Sequence, residues 1–182
     1  GALPICRIRL YWKALAYQPE FATNGSGGGQ IDEPRALAFN TSGSMIAVAD
    51  TRNYRCQIFS VTYDTDANPV FTPERRFGKA AAGADVFLSP RDADFDSQGN
   101  FYIVDRILHR VRKFGPDWTL AAEWGERAPS RVGYATNLRI HTASVGPDSS
   151  EEMVFVLDGA VNVFTTGGEK VAEINVDRKS VV

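Results

Sequence analysis

Three aspartates alternate at Asp92, Asp94 and Asp96. In an extended chain, residues two apart project from the same face, so the three carboxylates form one row. Oxygen ligands on one face suit a hard divalent cation, which makes this row the candidate cation or channel site. It is not a calcium loop of the helix-loop-helix kind. Counted from Asp92, Ser97 stands where that loop needs glycine and Ile103 where it needs glutamate. Histidine offers less. The chain has two, His109 and His141, and a zinc centre takes at least three protein ligands. No nucleophile elbow is present. The run Gly25-Ser26-Gly27-Gly28-Gly29 lacks the Lys-Ser/Thr of a phosphate-binding loop and reads as a flexible connector.

A second chemistry is basic. Arg75, Arg76, Arg91, Arg106, Arg110, Arg112 and Lys113 supply cations, while Arg52 with Tyr54 and Arg106 with His109 set a cation near a ring. Such pairs can hold single-stranded nucleic acid by stacking and phosphate contact, so these four are the candidate face contacts. The net charge of −2 lacks the basic excess of a polyanion-binding protein and disfavours nucleic acid.

The elements that position these residues come from an internal repeat. Glu33-Pro34-Arg35-Ala36-Leu37-Ala38-Phe39-Asn40-Thr41-Ser42-Gly43 aligns with Ser89-Pro90-Arg91-Asp92-Ala93-Asp94-Phe95-Asp96-Ser97-Gln98-Gly99. Pro34 to Pro90 and Gly43 to Gly99 are each 56 residues, and Asp50 to Asp105 and Phe59 to Phe114 are each 55. Ala36 and Ala38 of the first copy thus become Asp92 and Asp94 in the second. A shorter third copy keeps Met153 to Asp158 and Val161 to Phe164, with Asp158-Gly159 as a tight turn. Each copy reads as four strands with turn residues between them, the sequence form of a propeller blade, and a blade must stack on neighbours to bury its faces. The expected divisions are a leading half blade over 5–21, blades over 34–77 and 90–124, and a shortened blade over 136–175, all in one domain.

The pattern Pro-Arg-x-x-x-Phe-x-x-x-Gly, then apolar-Asp, then Asn53-Tyr54-Arg55-Cys56-Gln57-Ile58-Phe59 resembles the NHL repeat. That resemblance implies an all-β fold, a β-propeller of NHL type with about three and a half four-stranded blades and an incomplete ring. It also implies structural roles for the recurring Asp50, Arg55, Asp105 and Arg110, with each arginine pairing with its aspartate. Amidating lyases are similar to NHL propellers and bind zinc through several histidines. Pro90-Arg91-Asp92-Ala93 is faintly like their first-strand motif, but the histidines are not there.

The expected function is therefore a non-enzymatic scaffold, with a protein partner or copies of itself completing the propeller. Long loops at Tyr63 to Pro73, Lys79 to Leu88 and Ser144 to Glu152 would face that partner. The alternatives are a metal-dependent lyase or lactonase-like enzyme and an RNA-binding face. No cofactor is expected, although a divalent cation could sit at the aspartate row. No apolar run reaches the roughly 20 residues of a membrane span. Cys6 and Cys56 are expected as free thiols inside strands. Asn24 and Asn40 fit the N-glycosylation pattern, a faint pointer to an extracellular setting. The opening Gly1-Ala2-Leu3-Pro4 suggests a processed or excerpted chain.

Overall fold

Alternating apolar residues between turn signals do form strands, and no α-helix occurs among the described residues. A computed structural model describes residues 11–12, 16–17, 22–78, 86–125, 132–133, 135–146 and 149–174. Two short strands come first, β1 (Tyr11–Trp12) and β2 (Ala16–Tyr17), paired antiparallel. The rest of the 5–21 half blade, Cys6 included, lies outside the described residues. A parallel pair follows, β3 (Thr23–Asn24) and β4 (Gln30–Ile31). Three four-stranded antiparallel sheets then follow in simple meander order. The first sheet holds β5 (Pro34–Phe39), β6 (Met45–Asp50), β7 (Arg55–Tyr63) and β8 (Pro69–Gly78). The second holds β9 (Pro90–Phe95), β10 (Phe101–Asp105), β11 (Arg110–Phe114) and β12 (Leu120–Trp124). The third holds β13 (Asn137–Gly146), β14 (Ser149–Leu157), β15 (Val161–Thr165) and β16 (Lys170–Ile174).

The sheets stack face to face through apolar side chains. Ala47, Cys56, Ile58 and Phe77 of the first sheet meet Ala93, Phe101, Ile103 and Phe114 of the second. Tyr102, Val104, Val111 and Trp124 on the opposite face of the second sheet meet Leu138, Val154, Val156 and Phe164 of the third. The first sheet's other face buries Ile46, Val48 and Phe59 with Ile31. Each such side chain contributes roughly 1.5–3 kcal/mol of transfer free energy when fully buried.

The repeat extends to backbone irregularities. The ladder between the third and fourth strands shifts register next to Phe59, Phe114 and Phe164, a bulge recurring at one repeat position. Tyr54 (φ 55°) and His109 (φ 52°) both take the left-handed conformation in the turn after the second strand. Gly78 and Gly125 end the fourth strands beside these turns. A Cβ on them would lie 2.7 Å from the Tyr54 carbonyl and 2.8 Å from the His109 carbonyl, closer than real Cβ atoms come.

Two of the expected long loops are ribbons instead. β7 and β8 pair as far as Tyr63–Pro69, leaving only the turn 64–68. β13 and β14 pair as far as Gly146–Ser149. Backbone pairing won over loop character because the β-branched and aromatic run Ser60–Tyr63 faces Pro69–Thr72 in register. Both ribbons leave the same end of the stack, since hairpins between first and second strands and between third and fourth strands turn at that end. Of the third loop, residues 86–88 are described, and Phe87 is buried.

Candidate functional site

Each recurring aspartate ends or directly follows a second strand and holds the connector arriving from the preceding sheet. Asp50 accepts the Asp32 N–H at 2.7 Å, Asp105 accepts the Leu88 N–H at 2.7 Å, and Asp158 accepts the Gly133 N–H at 2.5 Å. What surrounds the aspartate differs from sheet to sheet. In the first, Arg55 Nε donates to Asp50 at 2.7 Å, and both side chains are buried. The same guanidinium donates to the carbonyls of Ser26, Gly27 and Gln30 at 2.7–2.8 Å. The glycine-rich run expected to be a flexible connector is therefore clamped. Its carbonyls point at an arginine, the reverse of a phosphate cradle, whose N–H groups point inward.

The expected Asp105–Arg110 pair does not form. Arg110 turns to Glu123 at 3.1 Å and to the Val86 carbonyl at 3.0 Å, and Arg112 joins Glu123 at 2.6 Å. Asp105 is instead saturated by four backbone N–H groups, those of Leu88, Ser89, Ile107 and Leu108. The difference follows from the residue two places on. Gln57 reaches Asp50 itself, whereas Arg112 brings a second cation that needs Glu123.

The aspartate row is engaged in hydrogen bonds throughout. Asp92, nearly fully buried, accepts the Leu138 N–H at 3.0 Å and Arg139 Nη1 at 2.8 Å through one oxygen, and the Ala93 N–H at 2.9 Å through the other. Asp94 accepts the Ile140 N–H at 2.9 Å and the Phe95 N–H at 3.0 Å. Burial pushes its carboxyl above the usual carboxylate range, against the pull of those N–H groups. Asp96 shapes the β9–β10 turn, accepting the Gln98 and Asn100 N–H groups, the Asn100 amide and the Tyr102 hydroxyl. Asp92 and Asp94 thus satisfy alternate N–H groups of β13, while Asp96 serves its own turn. Among the described residues no group of three or more His, Cys, Asp or Glu side chains converges as metal ligands. His109 Nδ1 lies 2.9 Å from the Gly133 carbonyl, and the His141 ring lies tilted against Phe155 with centroids 6.5 Å apart. These residues do not fit a zinc centre.

The four face candidates lie on one end of the stack, one sheet apart. Arg52 pairs with Glu33 at 3.3 Å and Asp32 at 3.6 Å. Tyr54 is about half exposed. Arg106 donates its backbone N–H to the Ser89 carbonyl at 3.0 Å. The Arg91 guanidinium is lowered from its ordinary range, chiefly by desolvation and then by Arg106 and Arg35. Sequence reasoning missed Arg139 and Glu123, the partners of Asp92 and of the Arg110–Arg112 pair. The signal for Arg139 was present, because it occupies the repeat position of Asp94 with the opposite charge. Cys56 is a free buried thiol whose pKa burial raises. Asn24 is exposed, whereas the Asn40 side chain is tied to Ser42, Ser44 and the Met45 N–H in its own turn.

Stacked four-stranded meanders of this kind define a partial β-propeller, and the comparisons with known proteins agree. No family model matches the chain. A solved luciferin-regenerating enzyme superposes with a TM-score of 0.62 at 15% identity, covering 95% of this chain and 56% of that one. A streptogramin B lyase gives 0.59 at 12%, covering 95% and 49%. The peptidyl-glycine alpha-amidating monooxygenase A of Xenopus laevis is 26% identical over 162 residues, 77% of this chain and 17% of that protein. The chain thus spans about half the length of these structures and a sixth of the curated relative. No helix among the described residues is long and apolar enough to cross a membrane.

Proposed function

We propose that this chain is a segment of an NHL-type propeller acting as a non-enzymatic scaffold, joined by a protein partner or by copies of itself across the blade face it leaves open. One observation carries the reading. Leu37 and Phe39, on the inner strand of the first full sheet, are 46% and 47% exposed. Their repeat counterparts Ala93, Phe95 and Leu138 are 0%, 7% and 0% exposed, and Ile140 is partly buried. In the later sheets these positions pack on the first two strands of the preceding sheet. Ahead of β5 the described strands are the short pairs β1–β2 and β3–β4, and they leave Leu37 and Phe39 exposed. Apolar side chains left in such a contiguous face mark an interaction surface. The two ribbons, with Tyr63 58% and Val70 42% exposed at the tip of one, add a second surface for a partner.

Light scattering over a concentration series tests this. Association should be concentration dependent and abolished by Leu37→Asp with Phe39→Asp. A well-folded monomer at all concentrations, bound by no protein partner that the double variant loses, would overturn the reading.

The enzyme reading keeps one argument in its favour: the proteins that resemble this chain are named for lyase and monooxygenase activity. Metal analysis separates the two. A stoichiometric divalent ion that disappears in a folded Asp92→Asn, Asp94→Asn variant would sink the scaffold-only view.

A further inference from the structure

Counting four residues back from the recurring Phe59, Phe114 and Phe164 gives Arg55, Arg110 and Ala160 at one repeat position. In the first two sheets the guanidinium there is consumed inside the protein, by Asp50 and by Glu123 respectively. The third sheet has lost the arginine and kept both kinds of acidic partner. Asp158 directly follows the second strand, at the repeat position of Asp50. Glu173 pairs in register with Asn162, as Glu123 pairs with Arg112.

The missing side chain leaves a space. A cleft of about 320 Å³, open to solvent, is lined by Gly133, Asp158, Ala160, Asn162, Lys170 and Glu173. Asp158 is held in place by the Gly133 N–H at 2.5 Å and the Asn162 amide at 2.6 Å, and among the described residues no cation pairs with it. Lys170 Nζ pairs with Glu173 at 2.6 Å, so this cation is directed to Glu173. A partly buried carboxylate facing a roomy polar cleft favours a cation that also donates several hydrogen bonds.

We propose that this cleft binds a guanidinium group from outside the chain, namely the arginine side chain of a peptide or protein partner. The planar fork of donors matches the carboxylates of Asp158 and Glu173, the two kinds of acid that Arg55 and Arg110 each meet singly from within the chain. An ammonium is a point charge and satisfies fewer of these acceptors. The inference goes beyond the scaffold reading and depends only on the repeat equivalence, so either can fail without the other.

The test follows the amide resonances of Gly133, Gly159 and Asn162 in the whole chain while guanidinium chloride at millimolar concentration, Gly-Arg-Gly amide or Gly-Lys-Gly amide is added. Saturable shifts are expected with guanidinium and the arginine peptide, with the lysine peptide weaker by at least about tenfold. Ala160→Arg should fill the cleft in cis, raise the melting temperature and abolish the shifts. Glu173→Gln, on a solvent-facing strand, should weaken binding in a folded chain and serves if Ala160→Arg does not fold. Equal binding of lysine and arginine peptides, undiminished binding by Ala160→Arg, or unchanged affinity in Glu173→Gln would overturn the proposal. Binding of free guanidinium without the arginine peptide would overturn the polypeptide source.

Discussion

Arg55→Ala should be among the most damaging single changes in this chain. The guanidinium is 2% exposed and its partner Asp50 0% exposed, at 2.7 Å. Truncation removes the ion pair and three hydrogen bonds to the carbonyls of Ser26, Gly27 and Gln30. Asp50 would keep donors from Asp32, Asn53 and Gln57, but its buried charge would lose its only ion-pair partner among the described residues. Breaking a buried pair from one side costs about 3–5 kcal/mol. At roughly 2–4 °C per kcal/mol for a chain of this size, the melting temperature should fall by about 10 °C. The freed 25–30 segment should also become the first site of proteolysis. Arg110→Ala is the internal control. That side chain is 16% exposed and Glu123 is 30% exposed with Arg112 as a second partner, so its loss should cost on the order of 1 kcal/mol. Thermal melts followed by circular dichroism, with a double-mutant cycle against Asp50→Asn, measure both. Equal costs for the two arginines, or no coupling between Arg55 and Asp50, would refute the clamp.

Asp94 gives the pH dependence. Its folded pKa is raised, so the native state holds the proton more tightly than the unfolded chain. Its ionisation therefore opposes folding above the native pKa, and acidification from neutral pH toward the ordinary carboxylate range relieves that cost. The melting temperature of the wild type relative to Asp94→Asn should rise between pH 7 and the Asp reference value near 4; a constant or falling difference would contradict the burial argument. Gly78→Ala and Gly125→Ala should each cost about 1–3 kcal/mol, because the added Cβ meets a carbonyl and the φ angles are +84° and +110°. Denaturant titration checks this, and Gly28→Ala, with nothing within 4 Å of the added atom, should be near neutral. The Cys56 thiol is buried with its pKa raised, so it should react with a disulfide reagent only as the chain unfolds. Rapid labelling of the native protein would contradict that placement.

The repeat made most of the fold legible, because turn glycines, terminal aspartates and apolar alternation are local signals. Strand bounds at Pro34, Asp50, Pro90 and Asp105 followed from it. Partner choice was not legible. Asp105 and Asp50 look alike in sequence, yet the partner is decided by Gln57 against Arg112, and then by Glu123 across a ladder whose bulge fixes the register. The aspartate row was visible as chemistry, but its hydrogen-bond partners were not. Alternation places side chains on a face, but it does not show that the facing strand offers the Leu138 and Ile140 N–H groups at matching spacing. Residues 63–73 and 144–152 were read as loops because the copies diverge there. Divergence marks what is free to vary, which includes a ribbon extended past the sheet.

These cases share a rule about where function sits in a repeat chain. At positions where all copies agree, as at Asp50, Asp105 and Asp158, the residue answers to a backbone need common to every sheet. At positions where one copy departs, neighbours in that copy must compensate or the departure leaves something unsatisfied. Ala36 and Ala38 become Asp92 and Asp94, and the compensation is visible in Arg139 and the β13 edge. Arg55 becomes Ala160, and no compensating cation stands beside Asp158 among the described residues. A buried arginine removed by mutation without its acidic partner costs several kcal/mol, so a chain that tolerates the loss either opens the site to water or supplies the cation from elsewhere. The cleft at Ala160 is open, which meets the first condition and permits the second. The Ala160→Arg variant separates them: if water alone had relaxed the site, restoring the arginine would change stability and leave binding of arginine peptides as it was.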